Sequence, residues 1–365
     1  MRAPDLQAVT VLAPPFPHDS MPGLECRFPA SSPPPLASAR LRSRPEDFFV
    51  RERMDILPDG EGEHVWIQLR KRGVNTMEVA RRLAQVAGVR RANVGYAGLK
   101  DKNAVAEQWF SVHLPGREEP DWRASLPADM EILALVRHGR KLKRGAHGGN
   151  DFEITLRDCR GDRERLEQRL ALVRRQGVPN YFGGQRFGRC NRNLDQARAL
   201  FRGALRVRDR KLRGIFISAA RAFLFNATLA GRVRERSWDV ALDGDVFVFH
   251  DKNSFFVPPC IDDSVRERLA AGDIHPSGPL WGAGEPPSRG GVYQLETRIA
   301  QQYPELARGL AGAGLRQQRR ALRVIPSGLR ADWTGDRALR LRFHLPKGCF
   351  ATAVLQELVA QRDGE

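Results

Sequence analysis

Between residues 64 and 114 the hydrophobic pattern changes from the period of a strand to that of a helix and back again. The segment His64–Leu69 alternates apolar and polar residues, which is typical of a half-buried strand. A helix is predicted to follow, because Asn75 can cap its start and Gly88 can end it. Strand-like residues return by Trp109. The order strand, helix, strand predicts an α+β fold.

The rest of the pattern, with the length of 365 residues, predicts two domains or one domain with a large insertion. A strand that carries Phe152 precedes an amphipathic helix opened by Asp162, and Gly177–Pro179 ends that helix at a predicted domain boundary. Ser218 is predicted to cap a later helix. Residues 1–40, rich in Pro, Ser and Ala, are predicted to be a disordered leader.

Three further segments have recognisable patterns. Val246–Phe249 and Phe255–Val257 indicate a β-hairpin, and residues 278–284 indicate a loop. Near the C-terminus, Leu339–Leu345 places apolar residues on one face of a strand, and a final helix follows.

Basic residues outnumber acidic ones by 60 to 43, which gives a net charge of +17 and a pI near 10.5. Such a surplus predicts attraction to polyanions, with nucleic acid ahead of an anionic membrane surface. The alternative is a drift in composition toward arginine. Because that drift decides which cation is used and does not itself create a surplus, nucleic acid is the favoured partner.

Several classes of protein lack support in the sequence. The five cysteines form no C-x-x-C pair, and H-E-x-x-H and Walker A motifs are absent, so we predict no metal and no nucleotide cofactor. The N-terminus makes a poor signal peptide, and we find no window of the ~18 apolar residues that span a membrane. A soluble, cytoplasmic protein is expected.

One acid has an unusual setting, since Asp101 lies between Lys100 and Lys102 and follows the glycines at 95 and 98. Glycines permit the close backbone approach that a loop facing a ligand requires. The two lysines could keep the carboxylate ionised or bind a phosphate beside it. A cofactor-free reaction that needs one carboxylate would fit these residues. The alternative is an ordinary Lys-Asp-Lys turn at the end of a strand.

A basic run at residues 137–147 could contact the phosphate backbone of a nucleic acid. Its candidate contacts are Arg140, Lys141, Lys143 and Arg144. The alternative is a solvated basic loop. An amide and an aromatic follow within Gly148–Phe152, and such groups can read a base edge or stack on a base.

The segment Asn180–Gly188 interleaves aromatics, glycines, an arginine and amides. These residue types could form a pocket for a flipped base or a surface for stacking single strands. For Tyr181 and Phe187 individually, packing at a domain junction is an equally good interpretation.

Taken together, these segments resemble the TruD family of tRNA pseudouridine synthases, with coverage from about Leu41 to Leu358. The resemblance rests on six motifs in family order: Pro45–Phe48, Gly95–Lys102, Gly149–Phe152, Asn180–Gly188, Gly278–Gly282 and Leu345–Thr352. The segment Arg189–Arg192 departs from the family, because a more glycine-rich run is expected there.

The resemblance implies that Asp101 is the catalytic aspartate and that Phe48, Asn150 and Phe350 line the uridine pocket. It also implies a pseudouridine-synthase catalytic domain with a mixed, largely antiparallel sheet. That domain would comprise residues 41–175 and 325–365, with an α+β insertion domain at 176–324. The implied substrate is uridine 13 in the D-arm of tRNA, with no cofactor, no membrane and no obligatory protein partner.

Pseudouridine formation breaks the N1–C1′ bond and joins C5 to C1′. A carboxylate could attack C1′ or uracil C6, or take a proton from the ribose, and the sequence leaves these roles open. The uridine should leave its stack first, with Phe48 or Phe350 against the extruded base and Asn150 as a hydrogen-bond partner. A non-catalytic RNA-binding protein and a methyltransferase with a cofactor pocket remain as alternatives.

Overall fold

The computed structural model describes residues 10–11, 26, 28–31, 37–56, 58–250, 252 and 254–362. Most of the predicted leader, 1–40, therefore lies outside the described residues, although Ser38–Arg40 form a strand. The helices are α1 Thr76–Val86, α2 Trp122–Ser125, α3 Arg163–Gln176, α4 Arg192–Phe201, α5 Arg210–Arg234, α6 Asp263–Ala271, α7 Gly290–Gln302, α8 Pro304–Gly312 and α9 Ala351–Leu358.

The strands are likewise numbered in chain order. They are β1 Thr10–Val11, β2 Ser38–Arg40, β3 Phe48–Met54, β4 His64–Arg72, β5 Val94–Tyr96, β6 Val105–His113, β7 Met130–His138, β8 His147–Arg160, β9 Val178–Pro179, β10 Leu205–Arg206, β11 Phe247–Phe249, β12 Phe255–Phe256, β13 Ile274–Leu280, β14 Gln318–Ala321, β15 Arg323–Val324, β16 Ser327–Trp333, β17 Leu339–Pro346 and β18 Ala360–Arg362.

The chain forms two compact units. The sheet unit comprises Pro34–Arg175, Pro326–Ala351 and Leu358–Glu365, and the helical unit comprises Gln176–Ile325, Thr352–Glu357 and the residues up to Pro33. The divisions after Arg175 and after Ile325 lie within one residue of the expected ends of the insertion.

A sheet with the order β16-β17-β8-β3-β6-β4-β7 forms the centre of the sheet unit, and β5, β2 and β18 are attached to it. Its pairs are antiparallel except for β3 with β6 and β18 with β2, so the prediction of a mixed, largely antiparallel sheet is confirmed. Val79 and Leu83 of the helix α1 belong to the same buried apolar cluster as Ile67 and Leu69 of β4. The predicted cap is present, since Oδ1 of Asn75 accepts a hydrogen bond from the N–H of Glu78 at 2.8 Å.

The helical unit is built around α5, whose apolar residues lie in the unit's core. The prediction that Ser218 caps this helix is wrong, because the helix begins eight residues earlier at Arg210, where Asp209 accepts from the N–H of Lys211 at 2.7 Å. The helix opens with Arg210–Gly214, where Leu212 is the one apolar side chain, so its first residues show no apolar period. Within the described residues, α5 alone is long and apolar enough to cross a membrane, and 72% of its apolar window is buried, as in a core helix.

The predicted hairpin is confirmed, since β11 and β12 pair antiparallel. Residues 278–280, expected in a loop, instead belong to β13, because they pair with β14 some forty residues later in the chain. A pattern of neighbouring residues cannot predict pairing with so distant a strand. The short strands β9 and β15 also pair, which brings the first and last residues of Gln176–Ile325 together.

Candidate active site

Buried polar side chains hold the loop that carries Asp101. Gln108 of β6 donates from Nε2 to the carbonyl of Gly98 at 2.6 Å. The N–H of Lys100 donates to Oγ1 of Thr76 at 2.9 Å, and that hydroxyl donates in turn to Oε1 of Gln108 at 3.0 Å. The backbone on both sides of position 99 is therefore fixed by groups within the sheet unit, which is the preorganisation a catalytic loop requires.

Lys71 of β4 fixes the backbone of Asp101 itself. Its side chain is fully buried, and its Nζ donates to the carbonyls of Val74 and Asp101, both at 2.6 Å. Burial lowers the pKa of Lys71 to about 8, because desolvation penalises the ammonium form. This lysine was not singled out from the sequence, because nothing local to β4 distinguishes it from other residues of a strand.

Arg42 forms an ion pair with the carboxylate of Asp101. Its Nη2 lies 2.8 Å from Oδ2 of Asp101, and its guanidinium carbon lies 4.3 Å from the centre of the Phe48 ring. One side chain thus joins the predicted catalytic acid to a predicted pocket residue. Arg42 also has a φ of 58°, a left-handed conformation that is unusual for a residue other than glycine and is often found at functional sites.

The expectation that Lys100 supports the carboxylate of Asp101 is wrong. The Nζ of Lys100 lies 2.9 Å from Oε1 of Glu52, and the two side chains are 6% and 0% exposed. The lysine next to Asp101 therefore turns into the sheet unit, where it pairs with a buried acid. The other oxygen of Glu52 accepts from the N–H of Trp109 at 3.3 Å, and Lys102 is exposed.

Asn150 lies on the same face of the sheet as Glu52, because it is paired with Glu52 on β3 and with Leu345 on β17. Its Oδ1 is buried and has no hydrogen-bond partner among the described residues, and Nδ1 of His147 is in the same condition. Buried polar atoms are normally bonded, so two such atoms near one ion pair indicate a place where a ligand completes the bonding. Burial also lowers the pKa of His147.

The structure gives the two predicted pocket phenylalanines different settings. Phe48 is 5% exposed, and its ring and that of Phe152 have centres 6.1 Å apart at an interplanar angle of 76°, so it forms part of a wall. Phe350 is half-buried in the segment between β17 and α9. Its place in a uridine pocket stays a prediction.

The candidate cations of the basic run differ in whether their side chains form hydrogen bonds within the protein. Nζ of Lys141 donates to the carbonyl of Ala92, and Arg144 donates to the hydroxyl of Tyr96 at 2.9 Å. Arg140 and Lys143 are exposed, and their side chains have no partner within the described part of the chain. The latter two are therefore the better candidates for phosphate contacts.

The aromatics of the segment 180–188 belong to the core of the helical unit. Tyr181 is 5% and Phe187 is 1% exposed, and Phe28 stacks on Tyr181 with ring centres 5.5 Å apart. Packing is thus the correct interpretation for both, and a base-stacking role is wrong, because their faces are covered by protein. A cavity of about 500 Å³ elsewhere in this unit is lined by Arg202, Arg213 and other residues, none of them a predicted site residue.

No group of three or more His, Cys, Asp or Glu side chains in the described ranges is arranged to hold a metal ion.

Comparison with known proteins identifies a family. The family model described as tRNA pseudouridine synthase D (TruD) matches residues 34–195 and 189–358. A tRNA pseudouridine synthase D of Nitrosococcus oceani is 47% identical over 334 residues, which are 90% of this chain and 93% of that protein. Another from Pseudomonas aeruginosa is 48% identical over 322 residues, 88% and 90% of the two chains.

A solved structure shows a similar fold. The crystal structure of a putative tRNA pseudouridine synthase D from Methanosarcina mazei matches with a TM-score of 0.68 at 20% identity, and covers 90% of this chain and 95% of its own. At that identity the likeness supports the fold, and the closer relatives support the family.

Proposed function

The chain belongs to the TruD family of tRNA pseudouridine synthases, and from that premise we propose that it isomerises uridine 13 in the D-arm of tRNA with Asp101 as the catalytic carboxylate. The observation that carries the proposal is the contact of Arg42 with both Asp101 and Phe48, at 2.8 and 4.3 Å. A carboxylate that is half-exposed, paired with a cation and held on a rigid loop is accessible to a substrate and correctly oriented.

The reaction moves a glycosidic bond from N1 to C5 of the same uracil, so nothing needs to be supplied or removed by a cofactor. Asp101 can act as a nucleophile at C1′ or C6, or as a base toward a ribose proton. In either role its charge changes during the reaction, and Arg42 lies where it compensates that change. The lysine beneath the loop, Lys71, holds the main chain of Asp101 in place meanwhile.

The uridine must leave its stack to reach this loop. Asn150 supports binding of the extruded base, because its unbonded Oδ1 can accept a hydrogen bond from the uracil N3–H. Phe350, which is half-buried, is assigned to stack on the base, whereas Phe48 forms the wall behind Arg42. The exposed cations Arg140 and Lys143 supply phosphate contacts, and we expect the protein to meet tRNA in the cytoplasm without an obligatory protein partner.

The test compares the wild type with Asp101→Asn on unmodified tRNA, with no added metal or cofactor. Pseudouridine is mapped by carbodiimide-dependent stops of reverse transcription, and binding is measured by fluorescence anisotropy. We expect the variant to lose product formation by at least about a thousandfold while binding changes little, since the amide keeps the size but not the charge of the carboxylate.

A tRNA in which uridine 13 is replaced by cytidine separates position from chemistry. Loss of all product on this tRNA supports position 13, whereas product at another uridine disproves that position and leaves the role of Asp101 untouched. Product formation by Asp101→Asn at a rate within tenfold of the wild type would disprove the catalytic assignment.

A further inference from the structure

Leu99 is an apolar side chain that the structure leaves in solvent beside the predicted catalytic acid. It is 63% exposed, the highest value among the large apolar side chains that are exposed in the described residues. Most exposed leucines need no explanation. This one lies two residues from Asp101, in the loop that presents the carboxylate to the substrate.

The direction of Leu99 follows from its neighbour. The side chain of Lys100 is 6% exposed and points into the sheet unit toward Glu52, while that of Asp101 is 32% exposed. Leu99 and Asp101, the residues on either side of Lys100, thus both have side chains that reach solvent, whereas the lysine between them is turned inward. Whatever RNA segment approaches the carboxylate therefore also meets the leucine.

Leu99 is also held in position. The carbonyl before it, that of Gly98, and the N–H after it, that of Lys100, are both bonded to buried side chains at 2.6 and 2.9 Å. A Cβ on Gly98 would lie 3.1 Å from Oε1 of Glu52, so the loop is closely packed on its inner side. A side chain on such a loop cannot easily withdraw when RNA binds.

We propose that Leu99 is a wedge that enters the RNA base stack beside the target uridine and fills the gap left when that uridine is extruded. The inference rests on the proposed function, in which the base must leave its stack before Asp101 can reach it. Extrusion costs stacking energy, and proteins that distort nucleic acids often insert a leucine or another apolar side chain between bases. Leu99 is thus a positioning residue, and Asp101 remains the catalytic one.

The test uses the full-length protein and a tRNA that carries 2-aminopurine next to the uridine that the wild type modifies. This base becomes fluorescent when it loses its stacking partner, so the signal reports extrusion directly. In an Asp101→Asn background the complex accumulates before reaction. Addition of Leu99→Ala should abolish most of the fluorescence rise, with RNA affinity changed less than about threefold because the phosphate contacts remain.

In the otherwise wild-type protein, Leu99→Ala should lower the single-turnover rate at saturating enzyme about tenfold, equivalent to about 1.4 kcal/mol. Leu99→Met retains an apolar chain of similar length and should restore both signals. Leu172→Ala removes a leucine that is 38% exposed on α3, away from the loop, and should change neither signal.

Two outcomes would overturn the inference. An unchanged fluorescence rise in the Leu99→Ala protein would show that extrusion does not need the side chain, whether or not the rate falls. Loss of both signals that Leu99→Met fails to restore would mean that the substitution disturbs the loop itself. The proposed function is tested by a different result, because product formation by Asp101→Asn would contradict it whatever Leu99→Ala does.

Discussion

At the scale of single residues, buried charge shapes this site. Lys71 is fully buried, and its ammonium donates to two main-chain carbonyls instead of pairing with a carboxylate. Burial of an ammonium group costs free energy, and here its hydrogen bonds fix the backbone of a loop. The buried ammonium of Lys71 therefore lowers the stability of the protein, while its hydrogen bond fixes the main chain of Asp101.

The cost of burying the ammonium of Lys71 predicts that the stability of the protein depends on pH. The pKa of Lys71 is about 8 in the folded protein against 10.5 as its ordinary value, so between these values the unfolded chain binds more protons. The free energy of unfolding should therefore rise as the pH rises from about 8 to about 10.5, by roughly 3 kcal/mol at most, and the cost is fully present below pH 8.

Urea unfolding at pH 7.5, 9 and 10 measures this effect by comparison with Lys71→Met, which has no group to titrate. The free energy of unfolding of the wild type should rise relative to that of Lys71→Met as the pH rises from 7.5 to 10. Lys102→Met is the matched control, because Lys102 is exposed on the same loop. Parallel profiles of the wild type and Lys71→Met would contradict the assignment.

At the scale of elements, a glycine decides how β5 packs against the middle of the basic run. A Cβ at Gly95 would lie 2.6 Å from Oγ of Ser111 and closer still to the carbonyl oxygen of Leu142. The same hydroxyl accepts the N–H of Leu142 at 2.9 Å. The segments that carry Asp101 and the basic residues are thus joined where only glycine fits.

We expect Gly95→Ala to lower the free energy of unfolding by about 1–3 kcal/mol, because the added methyl overlaps main-chain and hydroxyl oxygens. Urea unfolding at pH 7.5 measures the change. Gly214→Ala, on an exposed part of α5 with no neighbouring atom within 4 Å of the added Cβ, should be neutral or stabilise by up to about 1 kcal/mol. An unchanged free energy of unfolding in Gly95→Ala would show that the backbone moves at little cost to make room for the methyl group.

The basic run gives a second prediction at this scale. Replacement of both Arg140 and Lys143 by alanine should weaken tRNA binding and reduce the slope of log affinity against log salt by about 1.4–1.8, since each phosphate contact contributes roughly 0.7–0.9. Fluorescence anisotropy between about 50 and 200 mM salt provides the measurement.

The charge-matched control replaces Arg165 and Arg175, two exposed residues of α3. Equal changes in slope for both pairs would mean that only net charge matters. An unchanged slope for the Arg140 and Lys143 variant would make the basic run a solvated loop.

At the scale of the whole molecule, the helical unit is inserted in the chain so that its two ends meet. Val178 pairs with Val324 and Pro179 with Arg323, and the buried core around α5 is formed by residues between them, with Phe28 packed against it. A segment with adjacent ends and a separate core meets the conditions for an independent domain.

We therefore expect residues 176–325 to fold alone, with a cooperative thermal transition in circular dichroism. The added Asn226→Leu substitution provides the control. Asn226 is fully buried and bonds both the N–H and the carbonyl of Phe182, at 2.9 and 3.0 Å, so its loss should cost about 1–3 kcal/mol. A broad transition that is insensitive to this change would show that the isolated segment lacks its native core.

Features that depend on neighbours along the chain were predictable from the sequence. The cap at Asn75, the hairpin of β11 and β12 and the strand β17 each follow from residues within a few positions of one another. The setting of Asp101 between two lysines and after the glycines at 95 and 98 is also a local pattern, and its catalytic role stays a prediction. Local hydrogen bonds and side-chain periodicity are properties of short segments, so a single sequence displays them.

The tertiary structure alone decided which side chains surround Asp101. Arg42 precedes it by 59 positions, Lys71 by 30, and the inward turn of Lys100 depends on Glu52, a residue of another strand. It also decided that Tyr181 and Phe187 are core residues and that Leu99 stays in solvent. Strand order and burial determine these contacts, and both arise from pairing between distant segments, which no local pattern of residues encodes.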